Sequence, residues 1–181
     1  HGISHFYPSN IMAAHVSASP NHQTGRVVPL KFRFDVAMTG RLGMEMKPSD
    51  FTDKEKEFAK NAIETYKQIR PVIQQGDLYR LTSPYEKRPY VSLMYNTPEK
   101  DRAVFFLFRR HFIKDEWETP HKMAGLDPNR KYMIREINVE NPKRKVAIDG
   151  KVVSGRFLME NGIYLTLNRD LQSVVLELTA Q

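Results

Sequence analysis

The spacing of apolar and polar positions changes character along the chain. Ile11-Met12-Ala13-Ala14-His15-Val16 is a short, nearly continuous apolar run, the pattern of a strand buried on both faces of a parallel sheet. Pro29 then sits where a helix can begin, and Leu30, Phe34, Ala37 and Met38 fall on one face of that helix, which should stop at Gly40. A second apolar run, Leu42 to Met46, predicts another strand, ended by Pro48. Thr52-Asp53-Lys54-Glu55 spells a capping box, in which the Thr52 side chain and Glu55 satisfy each other's backbone donors. A long helix should follow, with Phe58, Ala62, Tyr66 and Ile69 as its apolar stripe and Arg70-Pro71 as its stop. His1 to Tyr7, ending at Pro8, reads as the tail of a helix or crossover.

From Leu78 onward the pattern becomes short strands broken by turns, with Ile73 to Gly76 as the hinge. The expected strands are Val91 to Tyr95, Ala103 to Phe108, Tyr132 to Ile137, Val146 to Ile148, Val152 and Val153, Gly162 to Leu167, and Val174 to Leu178. Asp149-Gly150 between two valine-containing runs is a two-residue hairpin signal. Ile163, Leu165 and Leu167 alternate with Tyr164, Thr166 and Asn168, as in a half-buried strand. Regular short strands of this kind argue for a β-sandwich.

Composition narrows the chemistry. The 181 residues are 40% hydrophobic, enough for a sizeable core in one or two domains. No apolar run approaches the roughly 18 residues of a bilayer span, so no membrane partner is expected. The chain starts at His1 without a signal-like segment, which reads as a cut and leaves the compartment open. There is no cysteine, which removes thiolate nucleophiles and zinc–thiolate sites. The net charge of +7 is spread among interleaved acidic residues, without a binding motif or stacking platform for nucleic acid, so none is expected as partner.

The densest polar stretch is His15-Val16-Ser17-Ala18-Ser19-Pro20-Asn21-His22-Gln23-Thr24-Gly25-Arg26, at the C-terminal end of the first predicted strand, where barrels and open α/β sheets build their chemistry. With Pro29 to Met38, Gly40 to Met46, Gln74 to Arg80 and Ala124-Gly125-Leu126-Asp127-Pro128, it closely resembles the retaining α-galactosidases of glycoside hydrolase family 36 over essentially the whole chain. The resemblance implies an α/β plus β fold: residues 1–75 as the last two βα units of a (β/α)8 barrel, and 76–181 as an antiparallel C-terminal β-sandwich domain. It also implies α-galactoside oligosaccharides as substrate, a homo-oligomer, and no cofactor.

A retaining glycosidase needs two carboxylates about 5 to 5.5 Å apart. In the resembled family the nucleophile follows a Lys-Trp pair, absent here, and the acid lies in a Ser-Asp-x-x-Asp motif upstream of the segment matching His1 to Pro8. Both are therefore expected before His1, and no catalytic residue is expected in the chain. Ser49-Asp50-Phe51-Thr52-Asp53 fits that motif literally, but it follows the second strand and the capping box accounts for it. Substrate contact is expected from His15, Asn21, His22 and Gln23, neutral groups that offer donors and acceptors to hydroxyls; the alternative is that they hold the loop's own backbone. Metal binding is not expected, because neither His15 and His22 nor His111 and His121 have zinc-motif spacing. Glu45 reads as a partner for Arg41, and Trp117 as packed against barrel or sheet, with stacking on a sugar as its alternative. A non-catalytic carbohydrate-binding or scaffold β-sandwich module is the competing function. If the barrel partner strands are missing, residues 1–75 should self-associate or be disordered.

Overall fold

The computed structural model describes residues 2–181. After a 3-10 turn at Ile3–His5, strand β1 (Ala13–Ser17), helix α1 (Leu30–Ala37) and strand β2 (Arg41–Glu45) form a parallel βαβ unit in which His15 pairs with Gly43 and Ser17 with Glu45. Helix α2 (Asp53–Gln75) leads into strands β3 (Asp77–Thr82), β4 (Tyr90–Asn96), β5 (Arg102–Arg109), β6 (Lys131–Ile137) and β7 (Val152–Ser154), then helix α3 (Gly155–Glu160) and strand β8 (Gln172–Ala180). These six strands form one antiparallel sheet in the order β3-β4-β5-β8-β6-β7. The barrel end followed by an antiparallel β domain is the architecture that the sequence implies.

The capping box forms: Glu55 N donates to Thr52 Oγ1 over 3.3 Å, and Thr52 N to Glu55 Oε2 over 2.9 Å. The helix does not stop at Pro71. It runs on to Gln75, because Val72 and Ile73 are buried in the same core as Tyr66 and Ile69, and that burial offsets the hydrogen bond Pro71 cannot donate. Gly76 closes it where the chain passes β4, with a Cβ there lying 2.4 Å from the Val72 carbonyl oxygen and 2.5 Å from that of Asn96.

Each face of the six-stranded sheet has its own core. Leu93, Tyr95, Val104, Phe106 and Phe108 meet Phe34 of α1 and Ala62 and Ile69 of α2, so the βα unit and the sheet share one core. On the other face Met94, Phe105, Leu107 and Leu176 meet Leu158 of α3 together with Met123, Leu126, Ile163, Leu165 and Leu167. The last three point inward as their alternation predicts, yet the segment makes a single bridge, His121 with Ile163, instead of a full strand. Val146 to Ile148 is a turn. Glu136 Oε2 accepts from Val146 N and Asp149 Oδ1 from Glu136 N, so side chains satisfy backbone groups that a ladder would otherwise pair.

Orientation follows from a few contacts. The N-terminus of α1 lies at the C-terminal ends of β1 and β2. Phe32 there packs edge-on against Phe108 at 5.5 Å, and Lys31 Nζ donates to the Ser173 carbonyl over 3.1 Å. At the opposite end Tyr95 Oη donates to the Thr39 carbonyl over 2.6 Å. Strand β5 thus runs toward the end where the His15–Arg26 loop opens, and β8 runs away from it.

Candidate functional site

Val16 is fully buried, and Ala14 and Leu42 pack with it on the core under α1 and α2. By strand alternation Ala13, His15 and Ser17 of β1 and Arg41, Gly43 and Glu45 of β2 therefore lie on the opposite face. Within these 181 residues that face is open and polar. His15 Nδ1 stands 3.3 Å from Glu45 Oε1, a diagonal cross-strand pair, so the partner of Glu45 is His15 and not Arg41. The His15 ring lies over Gly43, where a Cβ would come within 2.4 Å of His15 Cδ2. Glycine at 43 is what leaves room for the imidazole.

Arg33 of α1 ties the strand ends together. Its Nη1 donates to the Ser17 carbonyl over 2.6 Å and contacts Met46 Sδ at 3.8 Å. Desolvation draws the guanidinium below its ordinary pKa, opposed by the nearby Glu55 carboxylate. Behind it Asp35, fully buried, accepts from Lys31 Nζ, from Asn138 Nδ2 over 2.5 Å and from Ser173 Oγ over 2.6 Å. One carboxylate thus joins α1 to β8 and to the turn after β6. The sequence carries a faint sign of it, a charged residue at an inward position of Phe32-Arg33-Phe34-Asp35-Val36.

In the loop, Asn21 has a structural task. Its Oδ1 accepts from Gln23 N (3.1 Å), Thr24 N (3.0 Å) and Thr24 Oγ1 (3.1 Å), while Asn21 N donates to the Arg26 carbonyl over 2.9 Å. Ser19 Oγ accepts from Val28 N at the loop's base over 2.9 Å. His22 and Gln23 stand exposed at the tip, and His15 lies below on the strand. Asp50 is exposed in a 3-10 turn (Pro48–Asp50) next to the capping box. Trp117 is 91% exposed within these 181 residues.

Residues 1–76 match the Melibiase family profile and residues 90–178 the Glycosyl hydrolase family 36 C-terminal domain. The chain belongs to glycoside hydrolase family 36. It is the C-terminal portion of such a protein, spanning about a fifth of the length of the curated relatives it matches. This family 36 chain is 38% identical over 142 residues to alpha-galactosidase AgaA of Geobacillus stearothermophilus (77% of the chain, 19% of the relative). It is 34% identical over 176 residues to probable alpha-galactosidase C of Aspergillus terreus (96% of the chain, 21% of the relative). Among solved structures, an AgaA variant in complex with raffinose superposes with a TM-score of 0.88 at 33% identity, covering 99% of this chain and 23% of that one. A second AgaA variant, crystallised with stachyose, gives 0.87 at 34% identity with the same coverage.

Proposed function

We propose that the family 36 chain is the C-terminal portion of a retaining α-galactosidase that removes terminal α-linked galactose from oligosaccharides, and that it has no turnover alone. The observation that carries this is the open β1–β2 face. It presents one carboxylate, Glu45, paired with His15, whereas double displacement needs two carboxylates about 5 to 5.5 Å apart, a nucleophile and an acid. Those would come from barrel strands outside these 181 residues. A carboxylate against Nδ1 holds the proton there and leaves His15 Nε2 to accept from a sugar hydroxyl. The exposure of His22 and Gln23 on the loop that follows β1 supports them as further contacts, and Asn21 would offer its amide nitrogen while its oxygen shapes the turn. Residues 1–75 as barrel and 76–181 as β domain fit this division, although the two parts share a core.

The free outer edges of β1 and β2, with Phe6, Ile11 and Val27 exposed, support self-association of the isolated 181-residue chain through residues 1–75; in the whole enzyme further barrel strands would cover those edges. The test of function is nitrophenol release from p-nitrophenyl α-galactoside by the purified chain beside Asp50→Asn. No release is expected from either. Release abolished by the substitution would make Ser49-Asp50 the catalytic motif and overturn the reading.

A further inference from the structure

We propose that a cavity in the β domain, between the Thr82–Ser92 hydroxyl pair and the His121 imidazole, binds a single neutral pyranose unit. The cavity holds about 350 Å³, near the small end of the range for ligand pockets, which suits one sugar ring better than a chain of them. Strands β3 and β4 make its floor. A register shift between Arg80 and Thr82 brings Thr82 opposite Ser92, and Ser92 Oγ donates to Thr82 Oγ1 over 3.0 Å. Bulges re-aim side chains in this way beside binding sites. The bond leaves the Thr82 proton and the Ser92 lone pairs free for a ligand. The cavity lies on the sheet face that carries Met94 and meets Leu158, opposite α1 and α2.

His121, 9% exposed, makes the wall. Its backbone is fixed by the bridge to Ile163, with His121 N donating over 2.8 Å and its carbonyl accepting over 3.0 Å. Glycine at 162 permits that bridge, since a Cβ there would come within 2.7 Å of the His121 carbonyl oxygen. The ring stands edge-on to Tyr90 with 5.0 Å between centres, and the Tyr90 hydroxyl is held in turn by Arg109. Among the described residues no group donates to or accepts from either imidazole nitrogen. Buried polar side chains are ordinarily paired, so an orphan lining a cavity marks where a ligand completes the bonding. Burial draws the imidazole pKa down to about 4, so at neutral pH the ring is uncharged, with one nitrogen to donate and one to accept. Sugar hydroxyls answer both nitrogens and the hydroxyl pair opposite. The cations stand at the mouth, where Arg88 is exposed and 3.6 Å from Glu86 and Lys122 is exposed. An interior of uncharged donors and acceptors favours a neutral polyhydroxyl ring over an anion.

The imidazole resonances of the 181-residue chain are followed by NMR during titration with galactose, glucose, raffinose and inorganic phosphate, His121 being assigned by its loss in His121→Phe. A saturable shift of His121 with at least one sugar is expected. Thr82→Val, which keeps the side-chain shape, should weaken that sugar's binding about fivefold or more through one lost hydrogen bond, and saturation transfer to the sugar should be lost in His121→Phe. A response to phosphate alone overturns the proposal, and so does a His121 resonance that no sugar moves, since the cavity then holds only water. Equal affinity in Thr82→Val also overturns it, because the sugar then sits elsewhere. The titration is repeated with isotope-labelled histidine after this chain replaces the matching segment of AgaA from Geobacillus stearothermophilus. The same His121 shift is expected there; its absence overturns the proposal, because the rest of the enzyme then covers the cavity.

Discussion

Replacing Asp35 by alanine should be the most damaging single change at the junction of the two parts. The carboxylate is fully buried and gathers three donors, the Lys31 ammonium, the Asn138 amide and the Ser173 hydroxyl, from three elements. Lys31 is itself largely buried, with 13% of its side chain exposed, so removing Asp35 strands a cation and two polar groups out of water. Losing one member of a buried pair costs about 3 to 5 kcal/mol. At about 2 to 4 °C per kcal/mol for a chain of this size, the thermal midpoint should fall by about 6 to 20 °C. The check is urea denaturation of the wild type, Asp35→Ala, Lys31→Met and the double variant. Because Lys31→Met removes the stranded cation, the double variant should cost less than the sum of the singles by about 1 to 3 kcal/mol. A loss below about 1 kcal/mol in Asp35→Ala, or strict additivity, would refute the argument that this carboxylate welds α1 to β8.

Three further outcomes are expected. Burial lowers the His121 pKa to about 4, below its usual 6.5, so the unfolded chain takes up the proton first. Its contribution is complete above about pH 6.5 and declines by about 3 kcal/mol as pH falls to 4, so His121→Phe should flatten the acid limb of stability measured by denaturation between pH 7 and 4; parallel limbs would refute this. Gly43→Val should push the His15 ring off the strand, which an NMR shift of that imidazole reads, with a thermal midpoint within about 3 °C of wild type. An unmoved ring would refute the contact. Size-exclusion chromatography should show the chain associating through its open parallel strands; a compact monomer at all concentrations would count against that.

The legibility of the fold tracks the range of the forces that set each part. Period and capping are local, so α1, the start of α2 and strands β4, β5, β6 and β8 are readable within a residue or two. The end of α2 is not, because a proline's local rule loses to the burial of Val72 and Ile73 against a sheet formed later in the chain. Turn 146–148 looks like a strand because nothing in its sequence reveals that Glu136 and Asp149 satisfy its backbone. At the site, the polar density of 15–26 is legible, and the division of labour inside it is not. That Asn21 holds the turn while His15 leans on Glu45 across Gly43 depends on register between two strands nearly thirty residues apart. The same holds for Asp35, whose partners Asn138 and Ser173 lie 103 and 138 residues away.

The most direct test of the central claim is activity in trans of architecture: the matching C-terminal segment of AgaA from Geobacillus stearothermophilus is replaced by this chain, and nitrophenol release from p-nitrophenyl α-galactoside is measured. The swapped enzyme is expected to hydrolyse the substrate, with His15→Ala lowering kcat/KM by about tenfold or more through loss of a hydrogen bond to the sugar. A swapped enzyme that folds with the stability of its parent and releases nothing would contradict the claim, as would turnover by the 181-residue chain alone.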